Sequence, residues 1–316
     1  MPQPTIVCIA GPTACGKTKL GIELAKKFGG EVVSCDSMQI YRGMEIGTAA
    51  PTPEEMDGVP HHMVGVADPR EAYSVARFVA EATACVDDIL ARGKLPIVVG
   101  GTGLYLDALV AGRSFADGGE SESRIRLRAR LAQEGIEPLY EELRIIDPES
   151  AAALHISDEK RILRALEIFY ETGKTKREHD EESQRIPPRY RAVYIGLAFE
   201  DRADMRALID RRVDLMMEAG LVEEVQRLLA SGVSRETTAL QAIGYKELLS
   251  ALDGERPMEE AVEEVKLRSR QYAKRQLTWL RRNKAIHWIL WKKERDFPAA
   301  LQISTEILVA EGVPYS

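Results

Sequence analysis

Eight residues near the start of the chain, GPTACGKT at 11 to 18, have the types and spacing of a phosphate-holding loop, G-x-x-x-x-G-K-[ST]. In such a loop Gly11 and Gly16 let the backbone turn so that successive N–H groups point inward, with Pro12, Thr13, Ala14 and Cys15 forming the span between them. Lys17 adds a point charge, and the Thr18 hydroxyl is placed to ligate Mg²⁺. The helical pattern that follows aims its positive end at the same spot. This is chemistry for a phosphate or diphosphate, and it does not require that the ligand be ATP.

A second chemical signal lies at Asp36-Ser37-Met38-Gln39, directly after an apolar run. In open α/β sheets ligands bind beyond the carboxyl ends of strands, where both the loop and this carboxylate would emerge. Asp36 then has three readings: a Mg²⁺ ligand through water, a general base, or a turn former. VVGGTGLYL at 98 to 106 brings Thr102 to the same edge, although a strand-to-helix turn needing small residues explains the glycines equally well. His61-His62 has no third residue at metal-ligand spacing, and adjacent residues point different ways.

The elements that must position these groups follow from periodicity. TIVCIA, EVVSC and KLPIVVGG read as buried strands, with KLGIELAKKF and YSVARFVAEATACVDDILARG as helices between them. That alternation describes a parallel sheet covered on both faces. From about 114 to 188 the pattern becomes helical and rich in Arg and Glu, with no convincing strand; RYRAVYIGLAF at 189 to 199 returns to the sheet, and AIHWILW at 285 to 291 offers a last strand. The expected architecture is a phosphate-loop α/β core, 1–113 with 189–316, interrupted by a helical insertion, 114–188. Within the insertion, SDEKRILRALEIFYETGK is a punctuated helix whose buried stripe is read as Ile162, Leu166, Phe169 and Tyr170. PTPEE at 51 to 55 is read as a loop.

Composition limits the partners. The formal net charge of −7 over 316 residues argues against a polyanion, but its distribution does not. KLRSRQYAKRQLTWLRRNK at 266 to 284 carries Arg270, Lys274, Arg275 and five further cations with no acid. A macrodipole favours bases late in a helix over only about one turn, and this run covers several. Tyr272 and Trp279 add aromatic faces. Nucleic-acid contact and a solvated amphipathic face both remain open for it. The four cysteines, Cys8, Cys15, Cys35 and Cys85, sit in or beside apolar segments without metal spacing, as reduced buried thiols in a cytoplasmic protein would. No apolar run approaches the roughly 18 to 20 residues of a membrane span, and no leader pattern is present.

The ordered set GPTACGKT, DSMQIYRGMEIGTAAPT, HHMVGV, GGTGLYL, DEKRILRALEIF, LQAIGYKE and RQYAKRQLTW resembles the tRNA dimethylallyltransferases from about residue 5 to 282. The resemblance implies a P-loop NTPase-like fold and transfer of the dimethylallyl group of dimethylallyl diphosphate to N6 of the adenosine beside the anticodon's 3′ end. It implies Mg²⁺ as cofactor, tRNA as partner and a monomer. It assigns the general base to Asp36, places Thr13, Thr102 and Arg124 near the reaction centre, and gives Gln39 the extruded adenine. It makes Arg212, in RRVDLM, a further diphosphate contact. The tRNA side carries over onto Asp36, Ser37, Met38 and Gln39; Lys160, Arg161, Ile162 and Leu163; Gln241, Ala242, Ile243, Gly244, Tyr245 and Lys246; and Arg270, Lys274, Arg275 and Gln276. Cys15 stands where the family usually has Ser, which would make the loop sensitive to thiol oxidation, and Ala50 where it usually has Lys. A small-molecule kinase would share the loop and Asp36, and an adenylate prenyltransferase would share the core. Neither accounts for the basic helix.

Overall fold

The computed structural model describes residues 3–112, 121–185 and 187–314. The chain divides into two compact units, residues 1–112 with 189–316 and residues 113–188. The boundary expected at 113/114 lies outside the described residues.

The first unit is built on six parallel strands: β1 (Thr5–Ala10), β2 (Glu31–Cys35), β3 (His61–His62), β4 (Pro96–Gly100), β5 (Arg191–Phe199) and β6 (Ile286–Trp291). Their order across the sheet is β3-β2-β4-β1-β5-β6. Every residue of β2 and β4 is buried, as expected of strands covered on both faces. The covering helices are α1 (Lys17–Phe28), α2 (Glu45–Thr48), α3 (Pro53–Met56), α4 (Val75–Ala91) and α5 (Gly103–Ala111) before the second unit. The second unit holds α6 (Glu122–Glu134), α7 (Glu137–Ile146), α8 (Pro148–Ala152), α9 (Glu159–Thr172) and α10 (Lys176–Arg185). The chain then returns to the first unit for α11 (Arg202–Glu218), α12 (Leu221–Ala230), α13 (Lys246–Leu252), α14 (Met258–Leu280) and α15 (Phe297–Ala310).

Register is what positions the chemistry. Ala10 lies opposite Gly100, and Gly100 lies opposite Cys35, across the adjacent strands β1, β4 and β2. The three strands therefore end at one level, and residues 11, 36 and 101 leave the sheet side by side. Gly100 is required there, since a Cβ would collide with the Cys35 carbonyl. α1 packs Leu20, Leu24 and Phe28 into a core shared with Val7, Ile97 and Ile195.

The second unit is helical throughout its described residues. Leu127, Leu139, Leu143, Ile162 and Leu166 form its core. Tyr170, expected in the buried stripe of α9, is instead 40% exposed with the Arg126 guanidinium over its ring, and Ala165 and Ile168 take the buried positions. PTPEE is also not a loop. Pro53 opens α3, and Thr52 and Glu55 close a reciprocal capping box, because proline is at home in a first turn, where its missing N–H costs nothing.

Candidate active site

The phosphate loop takes the shape its glycines predict. Gly16 has φ of 90° and Ala14 follows it into the left-handed region at 64°. α1 begins at Lys17, and the first bond across its start runs from the Leu20 N–H to the Gly16 carbonyl, so the N–H groups of Lys17, Thr18 and Lys19 are left for a ligand. Gly11 cannot carry a side chain, since a Cβ would stand 2.5 Å from the Leu197 carbonyl oxygen. The Lys17 ammonium donates to the Pro12 carbonyl at 2.7 Å, which curls it over the loop. Cys15 is wholly buried, so the expected sensitivity to oxidants meets a thiol that solvent cannot reach.

Asp36 does form a turn: its Oδ1 accepts from the Met38 N–H at 2.9 Å and the Gln39 N–H at 3.3 Å. Both bonds fall on one oxygen, which leaves Oδ2 directed by the turn and free to take a proton or meet a cation. The Thr102 hydroxyl accepts from the Ser37 N–H at 3.2 Å, tying the end of β4 to this turn. Tyr272, named only as an aromatic face in the basic run, joins the same group. Its phenol is pushed up to about 12, first by burial and next by the Asp36 charge, with hydrogen bonds to Thr102 and Gln276 opposing. Its position four residues before Gln276 on α14, on the same helix face, is the signal that would have found it.

Arg212 reaches the site from α11. Burial lowers its affinity for a proton and the Asp36 charge works against that. It makes one long hydrogen bond, to the Thr48 carbonyl at 3.4 Å, and among the described residues it has no carboxylate at ion-pair distance. A desolvated guanidinium without a protein anion is a receptor for a ligand anion.

These groups open on one cavity of about 410 Å³ within the first unit, lined by Thr13, Lys17, Thr18, Asp36 to Gln39, Arg212, Gln241 to Lys246, Tyr272, Arg275 and Gln276. Several of the expected ligand contacts are braces in the fold. Gln39 accepts from the Ser34 hydroxyl at 2.9 Å and donates to the Thr48 and Ala49 carbonyls at 3.3 and 3.1 Å, so only a lone pair of its Oε1 is left for an adenine. Gln276 is 6% exposed; it accepts from the Thr13 N–H at 2.9 Å and donates to the Gly101 carbonyl at 3.1 Å, coupling the phosphate loop to the glycine turn. Tyr245 is fully buried, and its hydroxyl donates to Glu224 at 2.6 Å. Glu224 also accepts from the Ile46 and Gly47 N–H groups. Gly47 is needed beneath the Tyr245 ring, where a Cβ would be 2.5 Å away. Glu224 carried no motif, and a lone acid on an amphipathic helix gives no sign of burial.

On α14 the cations are not equivalent. Arg270 is 2.5 Å from Asp210, and Lys266 2.8 Å from Asp214. Arg275 lies over the Tyr272 ring, and neither it nor Lys274 has an ion pair among the described residues.

The remaining expected residues belong to the second unit. Arg124 lies on α6, where it and Arg164 hold Glu167 at 2.9 and 2.8 Å. Burial raises the Glu167 carboxyl, and the two arginines outweigh that and lower it. Lys160 and Arg161 are exposed at the start of α9. Ile162 is a correction: at 0% exposure it is a core residue and offers no side chain to a tRNA. Leu163 packs beside it. His61 and His62 are occupied locally, His61 with the Val59 carbonyl and His62 with Glu31, both at 2.8 Å.

A P-loop at the end of the first strand of a parallel sheet, with a carboxylate at the end of β2 on the far side of β4, defines a P-loop NTPase-like protein. The model of the IPP transferase family matches residues 39–283, and that of isopentenyl transferases matches 4–64. The chain is 46% identical over 285 residues to a tRNA dimethylallyltransferase of Acetivibrio thermocellus, covering 90% of this chain and 91% of the relative. It is 49% identical over 284 residues to one of Geobacillus thermodenitrificans, covering 90% and 89%. Among solved structures, the tRNA isopentenylpyrophosphate transferase of Bacillus halodurans superposes with a TM-score of 0.72 at 41% identity, covering 98% of each chain. A eukaryotic dimethylallyltransferase acting on tRNA superposes with a TM-score of 0.84 at 31% identity, covering 99% of this chain and 81% of that one. The chain belongs to the tRNA dimethylallyltransferase family.

Proposed function

We propose that the protein transfers the dimethylallyl group of dimethylallyl diphosphate to N6 of an adenosine in tRNA, the one adjacent to the anticodon on its 3′ side, and releases pyrophosphate. The observation that carries this reading is that the anion-binding groups Lys17, Thr18 and Arg212 and the carboxylate Asp36 all open on one cavity.

The residues suit the chemistry. An adenine amino group is a weak nucleophile because its lone pair is delocalised into the ring. As N6 attacks C1 of the donor, the C1–O bond breaks, its electron pair leaves with pyrophosphate, and the N6 proton passes to Asp36 Oδ2. Lys17, Arg212 and the free N–H groups at the start of α1 stabilise the charge that develops on the leaving group. Thr102 ties the Asp36 turn to the end of β4, and Tyr272 lines the same cavity. Met38, Ser37, Arg275 and the Gln241–Lys246 segment form the side on which the acceptor base enters, and Lys274 and Arg275 meet the tRNA backbone. A base must leave its stack to reach such a cavity.

No group of three or more His, Cys, Asp or Glu among the described residues could hold a metal by itself. Mg²⁺ suits the oxygens that line the cavity, the Thr18 hydroxyl and the Asp36 carboxylate, since it keeps several waters and is commonly held by one or two protein oxygens together with substrate phosphates. Thr18 would hold it, with Asp36 as a partner through water, and when bound it would neutralise diphosphate charge.

The test is incubation with labelled dimethylallyl diphosphate and either bulk tRNA or AMP, without ATP. Label is expected in tRNA alone, with inorganic pyrophosphate competing against the donor. Label in AMP, or turnover that demands ATP hydrolysis, would overturn the proposal.

A further inference from the structure

The segment after residue 283 lies beyond both family matches, yet it packs on the phosphate loop. The Trp291 indole N–H donates to the Cys15 carbonyl at 2.8 Å in a buried contact. Arg295 donates to the Ala14 carbonyl at 3.4 Å. The Phe297 ring stands 5.4 Å from that of Trp291 and occupies the space beside Gly16, where a Cβ would meet it at 2.8 Å. Lys19 lies over the same ring, 4.5 Å from its centre.

A trans peptide is planar, and its C=O and N–H point in opposite directions. A donor on the Cys15 carbonyl therefore turns the next N–H, that of Gly16, to the far side of the loop, the concave side that receives an anion. Arg295 does the same, less firmly, for the Ala14 carbonyl and the Cys15 N–H. These two peptides lie between the left-handed residues Ala14 and Gly16, where a flip of the plane is the obvious alternative conformation. Without the indole N–H, the buried Cys15 carbonyl must go unsatisfied or rotate toward another donor, and rotation would withdraw an N–H from the anion site.

We infer that Trp291 is a positioning residue for diphosphate binding, its indole N–H holding the phosphate loop in the conformation that receives the anion. The inference rests on the reading of the loop as a diphosphate site. It makes the last strand and helix part of the binding machinery although they contribute no lining to the cavity.

The test is Trp291→Phe, which keeps an aromatic ring against Phe297 and removes the donor. Three quantities are measured on the full chain: pyrophosphate affinity by calorimetry, donor KM with kcat at saturating donor, and tRNA affinity. Pyrophosphate affinity and donor KM are expected to weaken by about 5- to 150-fold, the range for leaving a buried carbonyl unsatisfied, with tRNA affinity and kcat within about threefold of wild type. A merely structural role would lower the melting temperature and leave the donor KM in place. A variant that binds pyrophosphate within twofold of wild type overturns the inference. Should Trp291→Phe fail to fold, benzothienylalanine at 291 gives the same shape without the N–H, and the same outcomes decide. A wild-type protein that binds no pyrophosphate would overturn the diphosphate reading itself, a result distinct from unaltered binding in the variant.

Discussion

The two ends of β2 carry a carboxylate each, and the molecule treats them in opposite ways. Glu31, at the amino end, is 2% exposed and fully engaged: Arg92 grips both oxygens at 2.5 and 2.8 Å, Lys94 reaches one and His62 the other at 2.8 Å. Asp36, one residue past the carboxyl end, takes only two N–H groups of its own turn, both on one oxygen. Arg212, which opens on the same cavity, is held by a carbonyl and not by a carboxylate. A buried charge met by protein partners serves the fold, whereas charges left facing each other across a cavity are ready for a ligand to complete.

The sharpest way to break this comparison is to neutralise each carboxylate without changing its shape. For Asp36→Asn, single-turnover prenyl transfer at saturating donor, tRNA and Mg²⁺ should slow by roughly 10² to 10⁴, with little change in melting temperature or tRNA affinity. If Asp36 were chiefly a metal partner, raising Mg²⁺ would recover much of the rate. If it were only a turn former, a rate within about threefold of wild type would accompany a lower melting temperature, and the contrast with Glu31 would vanish.

Glu31→Gln should do the reverse, leaving transfer intact and costing about 1.5 to 3 kcal/mol of stability at neutral pH, the range for hydrogen bonds to a charged group. Its pH dependence has a definite sign. The Arg92 hydrogen bonds, with Lys94 and His62, hold the folded carboxyl below its usual range in spite of burial, so its contribution is complete above the unfolded pKa of about 4.3 and fades as pH falls below it. Melting curves of both proteins at several pH values should show a constant gap from pH 8 to 6 and a narrowing one below about pH 4. A gap that persists unchanged into strong acid would remove Glu31 from this role.

How much of this was legible in the sequence follows the same divide. The phosphate loop, Asp36 and the βα alternation are local, with residue types that have few other uses at those spacings. The sheet order and the level ending of β1, β4 and β2 are not local, and they are what brings Thr102 onto the Ser37 N–H. Gln39, Gln276 and Tyr245 were legible as important residues but not as braces, because a side chain in a motif does not disclose whether it faces a ligand or the protein. Ile162 shows the converse: within KRIL it falls on the apolar stripe of α9, and periodicity correctly buries it where the motif suggests contact. Glu224 and Trp291 were invisible, each acting on a segment more than 150 residues away in the chain.

The smallest effect sharpens the comparison on one helix. α14 carries cations of both kinds, Arg270 and Lys266 set on acids of α11, and Lys274 and Arg275 without an ion pair among the described residues. Counterions are released only where a cation meets a phosphate, so each true contact contributes about 0.7 to 1 unit to the slope of log affinity against log salt. Lys274→Ala and Arg275→Ala should each flatten the tRNA slope by about that amount. Arg275→Ala should also cost some transfer, since this side chain lines the cavity over Tyr272. Arg270→Ala removes a charge that Asp210 already satisfies, so its slope should match wild type, whereas a face contacting RNA through every cation would give three equal changes. The measurement is tRNA affinity from about 50 to 300 mM salt, a range over which electrostatic contacts dominate the change. Equal slopes in all four proteins would mean that this face of α14 does not touch the tRNA backbone, and a flattening confined to Arg270→Ala would mean that the Asp210 pair opens when RNA binds.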